Sequence, residues 1–277
     1  MPGDATTSGT PPAATQAPRL PARDLVKAGL LGLVAGFLSG LFGVGGGILI
    51  VPVLVLALGM AQRVAHGTSL AAVLPIAVSG LVGFGTEASV DWPVAVALSV
   101  GAMLGALLGT HALKVLPAGV LARAFAAVLA LSAVRLAVDT TDAAGRGELD
   151  PALLAGLLLI GVVTGTLAGM LGVGGGVVMV PAMILLVGIP AAVAKGTSLA
   201  VIIPTSLVAT QRNLRNGNTL LPVAVVVGLA GVVSSFAASK ISVGLDERTS
   251  NLLFAALLIV VAARMLVQQR SRGTRTA

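Results

Sequence analysis

The sequence predicts an all-α, polytopic membrane protein made of two inverted-topology repeats with five hydrophobic segments each. Three observations predict it. Of the 277 residues, 56% are hydrophobic and 10% are charged, whereas a soluble domain carries about a quarter charged residues. Mean hydropathy is +1.04. The chain also repeats itself without a gap at an offset of 129 residues, and the basic residues of matching loops alternate between the halves.

Residues 1–22 (MPGDATTSGTPPAATQAPRLPA) are rich in Pro, Ala, Thr and Gly, with no apolar period, and predict a disordered tail. No basic n-region leads into a short apolar stretch, so a signal peptide is not expected. Membrane repeat 1 covers 23–138. Its first segment, 25–42, follows Arg19, Arg23 and Lys27, the pattern of an uncleaved helix with a cytoplasmic N-terminus. Its second segment, 47–59, is introduced by the glycine run GVGGG. At ~1.5 Å per residue it reaches only about 20 Å, short of the ~30 Å hydrocarbon core. A short, broken or hairpin helix hinged at the glycines is therefore expected. The third segment, 66–84, opens on HGTSLA. The fourth, 93–113, follows VDWP and carries Gly101, Gly105 and Gly109, a close helix-packing face. The fifth is 118–138. A linker, 139–150, sets Asp139, Asp142, Glu148 and Asp150 against Arg146 and is expected outside the cytoplasm. Membrane repeat 2, 151–267, follows with segments 151–171, 176–188, 195–211, 220–239 and 249–267. Residues 268–277 form a basic cytoplasmic tail. The count is 8–10 transmembrane helices, according to whether 47–59 and 176–188 cross.

The repeat is specific. GVGGGILIVP from Gly43 matches GVGGGVVMVP from Gly172 at seven of ten positions, and HGTSLAAVLP from His66 matches KGTSLAVIIP from Lys195 at six of ten. Pro93 then falls on Pro222, Phe125 on Phe254 and Arg135 on Arg264. Loop 85–92 carries Glu87 and Asp91 where its counterpart carries Arg212 and Arg215, and the acidic linker corresponds to the basic C-terminus. Lys and Arg collect on the cytoplasmic side, so matching loops lie on opposite sides and both termini are cytoplasmic. The alternative is a parallel repeat with four spans per half.

Interrupted hydrophobic segments at equivalent positions of two repeats point to a transporter's substrate site, because open backbone is costly in lipid unless it lines a cavity or is buried in protein. The candidate binding residues are Gly43, Gly45, Gly46 and Gly47 with His66, Gly67, Thr68 and Ser69, and Gly172, Gly174, Gly175 and Gly176 with Lys195, Gly196, Thr197 and Ser198. Gly-Thr-Ser at a helix start supplies hydroxyls and free N–H groups, a setting that favours anions. The structural alternatives are a tight glycine hairpin and ordinary helix capping. Apart from Asp4 and Asp24, every carboxylate lies in loops 85–92, 139–150 or 246–247, and none in an apolar segment. A cation site would place one at membrane depth. The site therefore expects negative charge, with His66 the leading candidate proton carrier and a neutral histidine hydrogen-bonded at a helix end the structural alternative.

Other classes are disfavoured. The chain has no cysteine and two histidines, so neither a thiolate nor a multi-histidine metal centre is expected. The net charge of +7 is spread over loops rather than gathered on one face, so nucleic acid is not an expected partner. Neither glycine run has the phosphate-loop form G-x-x-x-x-G-K-[ST]. No nucleophile–base pair lies in the apolar segments, so an enzyme is not expected, and no cofactor or metal is called for.

The paired G-x-G-G-G elements with a following proline, the G-T-S-L motif, VDWP at Val90 to Pro93 and the glycine ladder after it resemble the TauE/SafE sulfite exporter family, also called the 4-toluene sulfonate uptake permeases. The resemblance spans residues ~25–267. It implies a multi-pass inner-membrane protein that moves sulfur-containing anions of the sulfite, thiosulfate, sulfoacetate or organosulfonate class by secondary transport, driven by an ion gradient. The partners it implies are a small inorganic or organic sulfur oxyanion and membrane lipid, and a homodimer is compatible with it. A passive anion channel and a non-transporting accessory subunit are the alternatives. The two half-sites differ, because His66 stands where the other half has Lys195.

Overall fold

A computed structural model describes residues 21–85, 90–115, 118–138, 150–171 and 175–273. Among the described residues there are ten α-helices and no strand. The first half contributes α1 (Ala22–Phe42), α2 (Gly47–Ala57), α3 (Gln62–Gly85), α4 (Trp92–Val115) and α5 (Ala118–Val138). The second contributes α6 (Pro151–Leu171), α7 (Gly176–Val187), α8 (Ala191–Arg215), α9 (Leu221–Val243) and α10 (Glu247–Gly273). Every expected segment is a helix. Among the described residues α1, α3, α8 and α9 are each long and apolar enough to cross a membrane by length and composition. The short helices α2 and α7 have 11 and 12 residues. The expected tail 1–22 and linker 139–150 lie almost wholly outside the described residues. Helix α10 runs on to Gly273, past the end expected at 267, through residues (Gln268, Gln269, Arg270) with good helix propensity.

Equivalent helices run in opposite directions. Gly196, near the start of α8, packs on Phe84 near the end of α3, and Gly67, near the start of α3, lies against Asn218 just beyond the end of α8. So α3 and α8 are antiparallel, which is the inverted arrangement and excludes the parallel repeat.

The halves exchange their fourth helices. α1 packs along α9, and α4 along α6. The contacts of α1 are made backbone to backbone: a Cβ added at Gly36 would overlap the Gly231 carbonyl. Helices α4 and α6 meet in the same way, with a Cβ at Gly101 overlapping the Leu158 carbonyl. Small residues let helices approach this closely, which is how helices associate where lipid offers no hydrophobic drive. Two apolar cores follow. One gathers α1, α2, α3 and α9; the other gathers α4, α5, α6, α7 and α10 with Leu41 and Phe42 at the end of α1 and Ala238 of α9. Helix α8 runs between them, contributing Leu199 and Ile202 to one core and Ala194, Ala200 and Val201 to the other.

Candidate functional site

The first glycine run is a buried crossing between α1 and α2. Gly43 ends α1 in the left-handed region at φ 69°, its N–H donating to the Ser39 carbonyl at 2.7 Å. Gly45 and Gly46 follow at φ 79° and 68°, conformations that side chains adopt only at a cost. Residues 41–47 are all buried. Space is restricted as well. A Cβ at Gly43 would stand 2.6 Å from the Lys195 Cα, and one at Gly46 would stand 2.7 Å from the Ala35 carbonyl oxygen. In the second half Gly172 and Gly174 lie outside the described residues. Gly175 departs from its counterpart Gly46, with a right-handed φ of −59°.

The two runs meet. A Cβ at Gly176, the first residue of α7, would stand 2.8 Å from the Gly43 carbonyl oxygen and 2.9 Å from both Ser198 Oγ and Val44 Cα. Gly43, Gly176, Lys195 and Ser198 therefore form one cluster, with Lys195 and Ser198 one turn apart on the same face of α8.

Lys195 is 1% exposed. Its Nζ donates to Ser242 Oγ at 2.9 Å and to Ser250 Oγ at 2.6 Å, and lies 5.9 Å over the Phe42 ring. Phe42 in turn stacks on Phe254 at 5.6 Å. Ser242 passes its own proton to the Leu41 carbonyl at 2.8 Å. No carboxylate pairs with Lys195 among the described residues. Buried lysines are almost always paired, so this ammonium is a positive charge held by hydroxyls and a ring face alone.

The Gly-Thr-Ser motifs sit differently from the sequence expectation. Helix α3 begins at Gln62 and α8 at Ala191, so Gly67–Ser69 and Gly196–Ser198 lie in the second turn and not at the helix start. Their own N–H groups belong to the helical ladder and are not free. Helix α3 opens on the polar residues Gln62 and Arg63, and at the start of α8 the Glu247 carboxylate accepts the Ala191 N–H at 3.3 Å. Within the motif the three residues divide. Gly67 admits the Asn218 carbonyl, and Gly196 lies against Phe84 and Val90. Thr68 and Thr197 take the backbone N–H of Leu220 and Asp91 at 3.0 and 3.1 Å. Ser69 and Ser198, both 0% exposed, have hydroxyls without a partner among the described residues. Buried polar groups rarely go unpaired, and here two of them are sequence equivalents. His66 is half-buried and makes no hydrogen bond among the described residues.

Ser242 and Ser250 escaped the sequence reading because they belong to no motif. A signal existed at the repeat offset. Leu113 and Leu121 occupy the equivalent positions, so the second half alone places hydroxyls there, and the second half alone has the lysine.

The sequence profile of the family described as "Sulfite exporter TauE/SafE" matches residues 7–136 and 157–277. A probable membrane transporter protein of Bacillus subtilis (strain 168), YunE, is 29% identical over 224 residues, covering 72% of this chain and 82% of that protein. A probable membrane transporter protein of Xylella fastidiosa (strain Temecula1) is 29% identical over 246 residues, covering 86% of this chain and 93% of that protein. YjnA, another probable membrane transporter protein of Bacillus subtilis, is 27% identical over 249 residues, covering 86% of this chain and 98% of that protein.

Proposed function

This chain belongs to the sulfite exporter TauE/SafE family, and from that premise we propose that it is a secondary transporter of sulfur-containing anions, coupled to an ion gradient and working by alternating access. The observation that carries the anion reading is Lys195, a fully buried ammonium without a carboxylate partner among the described residues, beside the point where the two glycine runs meet. In the low-dielectric interior such a cation is costly unless an anion or a polar cage offsets it.

The chemistry follows from the cluster. An oxyanion entering a membrane protein loses its hydration and needs donors in its place. The Lys195 ammonium, the Ser198 hydroxyl and the first N–H groups of α7, which have no acceptor within the helix, are donors of that kind. The glycines keep side chains out of the crossing. Ser69 and the start of α2 are the counterparts in the first half.

Alternating access is supported by the inverted halves. Each can take up the conformation of the other, and the glycine-paired helices α1–α9 and α4–α6 would move as units. The basic bias of matching loops supports cytoplasmic termini, an extracytoplasmic linker 139–150 and an inner-membrane location. The two moving parts would then be the packed groups α1–α3 with α9 and α4–α7 with α10, each built from both repeats, 23–138 and 151–267. The test is binding to the purified protein in detergent with sulfite, thiosulfate, sulfate and sulfonates. Saturable binding of at least one, weakened by about one to two orders of magnitude in Lys195→Ala, is the expected result. A parent protein that binds none of them would refute the proposal.

A further inference from the structure

We propose that Ser242 and Ser250 complete a charge-binding subsite with Lys195, that this subsite exists in the second half only, and that it takes an oxyanion headgroup bearing a single negative charge. The proposal rests on the transport reading above and narrows its substrate by charge.

Three helices converge on one ammonium. Lys195 comes from α8, Ser242 from the end of α9 and Ser250 from the first turn of α10. A lysine placed only to mark a membrane edge would extend its ammonium to water, and this one is enclosed between Phe42 and the two serines. The two serines do different things. The Ser242 proton is committed to the Leu41 carbonyl, so Ser242 fixes where the ammonium points. The Ser250 hydroxyl accepts from Lys195 and keeps its own proton to donate. An ammonium has three N–H donors, and the serines occupy two. An anion oxygen at this position would take the third N–H and the Ser250 proton, and Ser198, one turn along α8, offers another unpartnered hydroxyl.

Charge decides the ligand. A monoanion beside Lys195 forms a neutral pair. A dianion leaves one full negative charge in an apolar enclosure, and the start of α7 supplies only about half a charge. The first half cannot supply the balance in the same way, since the positions equivalent to Ser242 and Ser250 are Leu113 and Leu121 and the lysine is His66.

Methanesulfonate and sulfate separate the alternatives, because they differ by a methyl group in place of a charged oxygen. Isothermal titration of the purified full-length protein is expected to show one methanesulfonate per chain, bound at least about tenfold more tightly than sulfate. Ser250→Ala is expected to weaken methanesulfonate by about tenfold, the effect of one hydrogen bond to a charged group. Ser250→Thr keeps the hydroxyl and is expected to retain most of the affinity. Lys195→Met, which fills the space without charge, is expected to weaken binding by at least about one to two orders of magnitude. Thermal unfolding of each variant identifies a serine that only packs: its removal lowers the midpoint and leaves affinity unchanged, which overturns the assignment. Equal binding of sulfate and methanesulfonate, weakened in Lys195→Met, overturns the single-charge inference and leaves the transport reading intact. Absence of binding by every sulfur oxyanion overturns both.

Discussion

The Thr68 side-chain oxygen on α3 accepts the backbone N–H of Leu220, the residue just before α9, at 3.0 Å. The same bond recurs 129 residues on, where Thr197 on α8 accepts the N–H of Asp91 at the start of α4, at 3.1 Å. Each motif threonine thus secures the fourth helix of the other half. The bonds are equivalent by sequence, but the helix starts they serve are not. Leu220 has no side-chain acceptor, whereas Asp91 also accepts the N–H of Val94 at 3.2 Å.

That difference predicts unequal costs. Loss of a helix-start acceptor typically costs about 1 kcal/mol. Thr68→Val should lower stability by about that amount, and Thr197→Val by less, because Asp91 still caps α4. Denaturant unfolding of both variants in detergent checks this. Equal losses would show that the Asp91 cap does not compensate for the bond lost at α4.

The glycines predict a graded series. Gly43 and Gly59 both have positive φ, but a Cβ at Gly59 meets nothing within 4 Å while one at Gly43 runs into the Lys195 backbone. Gly59→Ala should cost only the left-handed penalty, about 1–2 kcal/mol. Gly43→Ala should cost clearly more, since helix α8 must also shift. At Gly45 the obstacles are side-chain tips, Ile202 Cδ1 at 3.0 Å and Val73 Cγ1 at 3.3 Å. Gly45→Val should therefore still reach the membrane and lose transport. Wild-type uptake by Gly45→Val vesicles would make the glycine a spacer.

Much of this architecture is legible in the sequence because it is local. Apolar runs interrupted by GVGGG mark the helices, and the offset of 129 marks the repeat. The exchange of α4 and α9 is not legible. It depends on contacts such as Gly36 with Gly231, whose partners are far apart in the chain and could each serve several helices. The site divides in the same way. Lys195 and the glycines stand out by type and duplication, whereas Ser242 and Ser250 are ordinary residues for a membrane helix until folding brings both to one ammonium. Helices α3 and α8 begin before His66 and Lys195, because hydrophobicity locates only the main apolar run: polar Gln62 and Arg63 lie outside it, and Lys195 separates the apolar residues 191–194 from the run that follows.

Asp246 predicts an acid limb in the stability profile. Its Oδ2 accepts the N–H of Thr249 at 2.9 Å at the start of α10. That bond, with the Thr249 hydroxyl and nearby Arg248, holds the carboxyl below its ordinary value of 3.8. A depressed carboxyl stabilises the fold above its unfolded pKa, and the contribution disappears as pH falls through the folded value. The thermal midpoint should therefore drop at acid pH, and Asp246→Asn should reduce the part of that drop due to this residue. An unchanged acid limb in the variant would assign it to other carboxylates.

Topology can be tested with single cysteines, since the natural chain has none. Antiparallel α3 and α8 send the loops that follow them to opposite ends of the molecule. Cysteine at Asn216 should react from the cytoplasm, and cysteine at Ala88 or Ala144 from outside. Labelling of positions 88 and 216 from the same side would contradict the inverted repeat.

Lys195 and His66 hold equivalent places, and the structure predicts different consequences for removing them. Lys195 is enclosed and held by two serines, so it cannot act by reaching the membrane edge. Two unit charges about 4 Å apart attract by about 4 kcal/mol at an effective dielectric of ~20, and desolvation offsets part of that. Lys195→Ala should therefore weaken anion binding by about one to two orders of magnitude, roughly 1.4–2.7 kcal/mol. Lys195→Arg should weaken it less, because the charge remains while the larger guanidinium fits the serine pair poorly. His66 is half-buried and has neither serine partner, so its removal should barely change affinity at neutral pH. An imidazole changes charge between about pH 5 and 8, so His66→Ala should instead flatten the pH dependence of transport over that interval. Affinity and pH profile measured on both alanine variants separate the roles. Undiminished sulfur-oxyanion binding by Lys195→Ala would place the anion elsewhere, and an unaltered pH profile in His66→Ala would remove the histidine from proton coupling.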